Sequence, residues 1–226
     1  MADQLPDLLI LHEDNHVLGV LKPAGLPVQG DETGDASLVD TTREWLRIKY
    51  QKPGNVYCGL VHRLDRPASG VVCLAKTSKA AGRLSEQFRE KSTLKIYRVV
   101  VEGRPARERG LLEDDLFVEE VRRVTRRARA GEKAQHAELW FEMLRSTAGM
   151  SELSIELRTG RKHQIRCQLA LMGCPVVGDV KYGAREGLFG GRAIALHAER
   201  LEITHPTREE RIVMTAPLPD YWPVRS

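Results

Sequence analysis

His62-Arg63-Leu64-Asp65-Arg66-Pro67-Ala68-Ser69-Gly70 runs directly into Val71-Val72-Cys73-Leu74-Ala75-Lys76. The second half is a short apolar run and reads as a buried strand. The first half, punctuated by Pro67 and Gly70, reads as the turn that feeds it. That turn sets one carboxylate, Asp65, between two guanidinium groups. Arg63 and Arg66 stay charged at any biological pH, so they favour the ionised form of a carboxylate held near them. An ionised Asp with no proton to give serves as a nucleophile or an electrostatic stabiliser. A structural Arg–Asp pair closing a turn has the same appearance in sequence.

Working outward, the chain reads as α+β. Leu8 to His12 and His16 to Leu21 form a short hairpin around Asp14-Asn15. A helix begins at Ser37, carries Leu38, Trp45 and Leu46 on one side, and ends before Pro53-Gly54. Ser78 is expected to cap a second helix, with Ala81, Leu84 and Phe88 at spacings of three and four. Leu94 to Val101 is a strand ending at Gly103. His136 to Leu144 and Leu153 to Arg158 look like an antiparallel pair. A helix from about Lys162 to Met172 follows, then strands at Ala193 to Ile203 and Arg211 to Thr215. With strands in both halves and no repeat or linker, we expect one domain, residues 1–226, built on a large, mainly antiparallel mixed sheet with flanking helices.

Composition bounds the function. The chain has 226 residues, 42% hydrophobic, enough for a real core. It has no long apolar run, so no membrane span is expected. The N-terminal Met1-Ala2-Asp3-Gln4-Leu5-Pro6-Asp7 is acidic without a basic flank, which argues against targeting and for a cytoplasmic protein. Cys58, Cys73, Cys167 and Cys174 make no Cys-x-x-Cys pair, so neither a zinc ribbon nor a disulfide framework is indicated. No metal site, cofactor or obligatory protein partner is signalled, and a monomer is expected. Net charge is +4, but Arg122, Arg123, Arg126, Arg127, Arg129 and Lys133 crowd one stretch behind an acidic one, Glu113 to Glu120. That cluster is either a solvated hairpin or loop or, in a nucleic-acid enzyme, a phosphate clamp.

Three further segments accompany the Asp65 turn. They are Val17 to Val28, with Lys22-Pro23-Ala24-Gly25; Leu157-Arg158-Thr159-Gly160-Arg161-Lys162-His163-Gln164-Ile165-Arg166, followed by Gly173 to Gly183; and Ala195-Leu196-His197-Ala198, leading to Leu201 and His205-Pro206. In this order and spacing they closely resemble the RluA-type RNA pseudouridine synthases, over about residues 10–217. The resemblance implies a single catalytic domain with a central RNA-binding cleft. The implied activity is isomerisation of specific uridines in structured RNA, tRNA or rRNA. The chain leaves no room for an N-terminal S4 RNA-binding module, so recognition is expected to come from the catalytic domain itself.

That chemistry breaks the N1–C1′ bond, turns the detached uracil and rejoins it through C5. It is redox-neutral and needs no cofactor. It requires a carboxylate beside the sugar–base junction and a dry pocket that keeps the freed base. The resemblance assigns the carboxylate to Asp65 and puts the Tyr97 ring against the base, where stacking is worth about 1–3 kcal/mol. It pairs Arg166 with Asp65, lets Arg63 fill the gap left by the flipped uridine, and makes Leu196 an apolar wall. A core tyrosine, a surface arginine and a core leucine would look the same in sequence. Lys22, Arg161, Lys162, Arg126, Arg127 and Arg129 are candidate phosphate contacts. Two departures from the family pattern, Ala68-Ser69-Gly70 and Cys167-Gln168, bear on the choice of target RNA.

Rival functions fit less well. A protein kinase needs His-Arg-Asp followed by an Asn five residues on, and here Leu64 is inserted and no such Asn follows. A glycosidase usually wants a second carboxylate, and none is marked. A catalytically inactive RNA-binding protein on the same fold is the alternative from another class; Asp65, Tyr97 and Arg166 argue against it.

Overall fold

The structure is a computed structural model that describes residues 6–30, 34–147 and 149–224. Residues 1–5 of the N-terminal stretch read for targeting lie outside these. The described residues form eleven strands and three α-helices, the α+β architecture expected. They divide into two compact units, Met1–Thr93 with Glu199–Pro217, and Leu94–Ala198 with Leu218–Ser226.

In the first unit, β1 (Ile10–Glu13) and β2 (Val17–Lys22) make the expected hairpin. Its turn is built by Asp14, whose Oδ1 accepts the amides of His16 at 2.7 Å and Val17 at 2.8 Å, the usual way Asp mimics a backbone turn. α1 (Leu38–Lys49) starts at Ser37, where Ser37 and Asp40 cap each other reciprocally. After β3 (Gly59–Leu60) comes β4 (Ser69–Ala75), buried along its whole length and antiparallel to β2, with Lys22 opposite Gly70 and Val17 opposite Ala75. α2 (Ser78–Glu90) is capped by Thr77 instead of Ser78, the Thr77 hydroxyl accepting the Ala80 amide at 3.2 Å. β10 (Leu196–Thr204) and β11 (Arg211–Thr215) complete the order β1-β2-β4-β10-β11, with β3 also on β4. Val71, Cys73, Leu84, Leu201, Ile203 and Met214 form the core.

The second unit is an antiparallel sheet: β5 (Leu94–Glu102), β6 (Arg109–Glu119), β7 (Val124–Arg127), β8 (Gln135–Thr147) and β9 (Met150–Leu157), in spatial order β5-β9-β8-β6-β7. β6 carries the acidic stretch up to Glu119 and β7 carries Arg126 and Arg127, while Arg122 and Arg123 lie in the turn between them and Arg129 and Lys133 follow β7, so the region is a hairpin, one of the two forms the sequence offered. α3 (Gln164–Leu171) begins two residues later than expected, after His163 in a left-handed conformation. A single 3-10 turn, Val180–Tyr182, follows.

Candidate active site

Asp65 is partly buried, and its turn closes through the Ala68 amide, which donates to the Asp65 carbonyl at 3.1 Å. The next carbonyl along, that of Arg66, is held twice: by the Gly25 amide at 2.8 Å and by Lys22 Nζ at 3.0 Å. The Lys-Pro-x-Gly turn therefore clamps the turn that carries the carboxylate. Gly25 adopts φ +86°, a conformation that glycine takes without strain. Arg66 reaches back over the same turn, donating from Nε to the Gly25 carbonyl at 3.0 Å and pairing with Asp35. His62 accepts the Cys73 amide at 2.9 Å and stacks on Phe88, which ties the segment before Asp65 to β4 and α2. Arg63 is exposed.

Lys22 corrects an expectation. It is fully buried, and its Nζ donates to the carbonyls of Pro23 at 2.9 Å, Leu26 at 2.8 Å and Arg66 at 3.0 Å. An ammonium has three N–H groups and all three are spent, so Lys22 is a turn-builder and not a phosphate contact. Burial pulls its ammonium down to about 7, while the Asp65 charge pulls the other way. All four thiols are buried too. Burial pushes Cys73 up to about 12 and Cys58 and Cys167 to about 11, so none is a thiolate nucleophile near neutral pH.

In the second unit, Tyr97 is buried on β5, opposite Ile155 of β9. Leu196 is buried at the start of β10. Arg166 lies on α3 with only 5% of its side chain exposed, so it is not a surface arginine. Its Nε and Nη2 fork onto the Asp179 carboxylate at 2.6 and 2.8 Å, and its guanidinium sits 4.8 Å from the Tyr182 ring centre. The sequence segment Gly178-Asp179-Val180-Lys181-Tyr182-Gly183 thus supplies partners that sequence reasoning left without a role. Its signal was the Gly-Asp-x-x-Tyr-Gly spacing itself.

The basic stretch also differs from expectation. Pairing of β6 with β7 interleaves the acidic and basic runs. Arg126 is bound by Glu132 through two contacts, 2.8 and 2.6 Å, and by Glu119 at 3.2 Å, and it covers the Phe117 ring. Arg127 pairs with Asp114 at 2.6 Å. Arg126 and Arg127 are therefore neutralised within the protein rather than presented as a clamp. The Arg129 amide donates to Glu132 at 2.7 Å. Arg161 donates from Nε to the His136 carbonyl at 2.9 Å, and Lys162 meets Glu120 at 3.1 Å on the surface. β6 and β8 bring one ligand atom each of Glu113, His136 and Glu138 within 4.8 Å of one another. The first two are exposed, and Glu138 is also held by Arg158 at 2.6 Å. Among the described residues no helix is long and apolar enough to cross a membrane.

Residues 16–171 match the RNA pseudouridylate synthase family. An uncharacterized RNA pseudouridine synthase of Bacillus subtilis is 35% identical over 217 residues, covering 94% of this chain and 69% of that protein. The dual-specificity RNA pseudouridine synthase RluA of Escherichia coli is 31% identical over 218 residues, covering 95% and 94%. Among solved structures, human RNA pseudouridylate synthase domain containing 4 gives a TM-score of 0.80 at 26% identity, covering 95% of this chain and 90% of that one. The chain belongs to the RNA pseudouridylate synthase family. Its activity is the isomerisation of uridine in RNA to pseudouridine.

Proposed function

We propose that residues 1–226 act as one catalytic domain that isomerises specific uridines in structured tRNA or rRNA, with Asp65 as the essential carboxylate. The observation that carries this reading is the clamp on the Arg66 carbonyl by Lys22 and Gly25, which holds the backbone of the Asp65 turn in place before substrate arrives. A carboxylate positioned in advance avoids reorganisation in the transition state. Asp65 would act at the sugar–base junction, by attack on C1′, addition to the ring or assistance to glycal formation. Tyr97, Arg166 and Leu196 would hold the base, and exposed Arg63 would take the place of the flipped nucleotide, whose extrusion costs a few kcal/mol. Arg161, Lys162 and Arg129 would contact phosphates. The naming of the Escherichia coli relative as dual-specificity supports keeping more than one RNA target in view.

The reaction moves no electrons between molecules, so no cofactor is invoked. We further propose a cytoplasmic monomer. Four buried free cysteines suit a reducing compartment.

The decisive experiment is tritium release from 5-tritiated uridine in RNA by Asp65→Asn, a nearly isosteric change that removes the carboxylate. Loss of turnover with RNA binding retained is the expected result. Substantial turnover would sink the assignment, while an inactive wild-type protein that still binds RNA would favour the non-catalytic alternative. Mapping pseudouridines by carbodiimide-stop sequencing in a strain lacking the gene, against its parent, identifies the target.

A further inference from the structure

We propose that Asp179 is a positioning residue for the isomerisation, acting through Arg166. The proposal rests on the reading of Arg166 as part of the uridine site.

The side chains of Arg166 and Asp179 are 5% and 1% exposed. A two-point fork, 2.6 and 2.8 Å, fixes both the place and the plane of the guanidinium. Of the five N–H donors of an arginine, this fork takes Nε and one from Nη2. The fork thereby fixes the direction of the Nη1 edge, away from Asp179. A lysine has no such plane to fix.

Asp179 is itself held firmly. Gly178, at φ +88°, leaves no room for a side chain: a Cβ there would lie 2.5 Å from Leu188 Cβ and 2.9 Å from the Ala193 carbonyl. The Asp179 amide donates to the Val176 carbonyl at 3.0 Å, and its own carbonyl accepts the amides of Tyr182 at 2.9 Å and Ala184 at 3.1 Å. The carboxylate thus hangs from a turn that cannot slide.

The guanidinium is also fixed from its face. The Tyr182 ring lies under it at 4.8 Å, and the Tyr182 hydroxyl accepts the Thr125 amide at 2.8 Å and meets His163 Nδ1 at 2.8 Å. Burial pushes that phenol up to about 12, so it keeps its proton and can donate to His163. β7 and the start of α3 therefore fix the Tyr182 ring through its hydroxyl, and the 178–183 turn sets that ring and Asp179 against the guanidinium. An ion pair that only joined α3 to the turn would need neither the second fork contact nor the ring.

The test compares tritium release by Asp65→Asn, Asp179→Asn and Glu152→Gln with the wild type, at a temperature below each melting point. Glu152 is the control: it is a buried acid in the same unit, held by Arg145 at 2.6 Å and Trp222 at 2.9 Å and placed outside the uridine site. A misplacement of about 1 Å costs roughly 100-fold in rate, so Asp179→Asn should lower kcat at least about thirtyfold, with KM within about threefold. Glu152→Gln should lose thermal stability and keep kcat. A smaller drop in kcat for Asp179→Asn, or a drop matched by Glu152→Gln, overturns the proposal. Should the Asn variant not fold, Asp179→Glu, which keeps the charge and shifts its reach, is judged by the same threshold. If Asp65→Asn remains active, it is the reading of the uridine site that fails, a result distinct from an inert Asp179.

Discussion

Lys22 and Arg66 stand 44 residues apart in sequence, and Lys22 Nζ donates to the Arg66 main-chain carbonyl at 3.0 Å. A buried charge satisfied entirely by backbone carbonyls is a hinge pin, and its removal takes the donor from the Pro23 and Leu26 carbonyls, while the Arg66 carbonyl keeps the Gly25 amide. Each orphaned buried acceptor costs about 1–3 kcal/mol. Lys22→Met, similar in length and apolar, should destabilise the protein by about 3 kcal/mol or more. Differential scanning calorimetry should show the melting point falling by roughly 6–12 °C for a chain of this size. The salt slope of RNA binding should stay unchanged, because this ammonium never meets a phosphate. A flatter slope in Lys22→Met would restore it as an RNA contact.

Acid should unfold the first unit through Glu13 and Asp14. Burial pushes the Glu13 carboxyl up, but hydrogen bonds from Lys49, Tyr50 and Lys76 outweigh it and bring it to about 2. Asp14 also reaches about 2, burial being overcome by the amides of His16 and Val17, by His12 and by the charge of His205. Both values are depressed on folding, so the stabilisation is present above the ordinary carboxylate range and is lost as pH falls toward 2. One pKa unit is 1.36 kcal/mol, so each group contributes about 2–3 kcal/mol at neutral pH. Denaturant titrations should show the stability gap between wild type and Asp14→Asn narrowing from pH 7 to pH 2. A gap of constant size would mean that the charge of Asp14 contributes nothing.

The thiols offer a third check. All four cysteines are buried, and the raised values of Cys58, Cys73 and Cys167 keep them protonated. Native protein at pH 7.5 should react with a disulfide reagent only as fast as it opens, and brief alkylation should spare activity. In urea all four should react at once. Rapid titration of a thiol in the native state, with loss of tritium release, would contradict the burial described above.

The legible parts of this chain were those with local signals. The Asp14 turn, the Ser37 cap and the apolar β4 run each announce themselves within a few residues, and so did the motif segments around Asp65 and Arg166. What stayed hidden depended on distant partners. The fate of Lys22 turns on carbonyls that only the fold delivers, and a Lys-Pro-x-Gly turn reads equally well as a surface contact. β6 was missed because Glu113, Asp114 and Asp115 are poor strand formers; eight residues of pairing with β8 and charge pairs to β7 override that preference. Charge runs counted along the chain conceal their own neutralisation across a sheet. The Glu113–His136–Glu138 group escaped for the same reason, since its members sit on two strands.

That interleaving decides the last prediction. The carboxylate partners of Arg126 and Arg127 are largely buried, Glu132 at 24% and Asp114 at 8% exposed, so a phosphate that took either arginine would strand a buried charge, and replacing both with Ala should exchange few counterions with RNA. The double variant should leave the slope of log K against log salt within about half a unit of wild type, and should lower thermal stability through loss of the Glu119, Glu132 and Asp114 pairs. Arg123, Lys162 and Lys181 make the informative contrast. The Lys181 ammonium is lowered by burial and then by the charges of Arg166, Lys162 and Arg123, with Asp179 opposing, which marks a concentration of positive charge around Arg166. The Lys162–Glu120 pair is surface-exposed and worth about 0–1 kcal/mol, so a phosphate displaces it readily. Replacing Arg123, Lys162 and Lys181 with Ala should flatten the slope by about 2 units, at roughly 0.7–0.9 per phosphate. KM should rise more than kcat falls. Filter binding of one RNA at several salt concentrations measures both variants side by side. A flattened slope in the Arg126/Arg127 double and an unchanged one in the triple would return the phosphate path to the β7 hairpin.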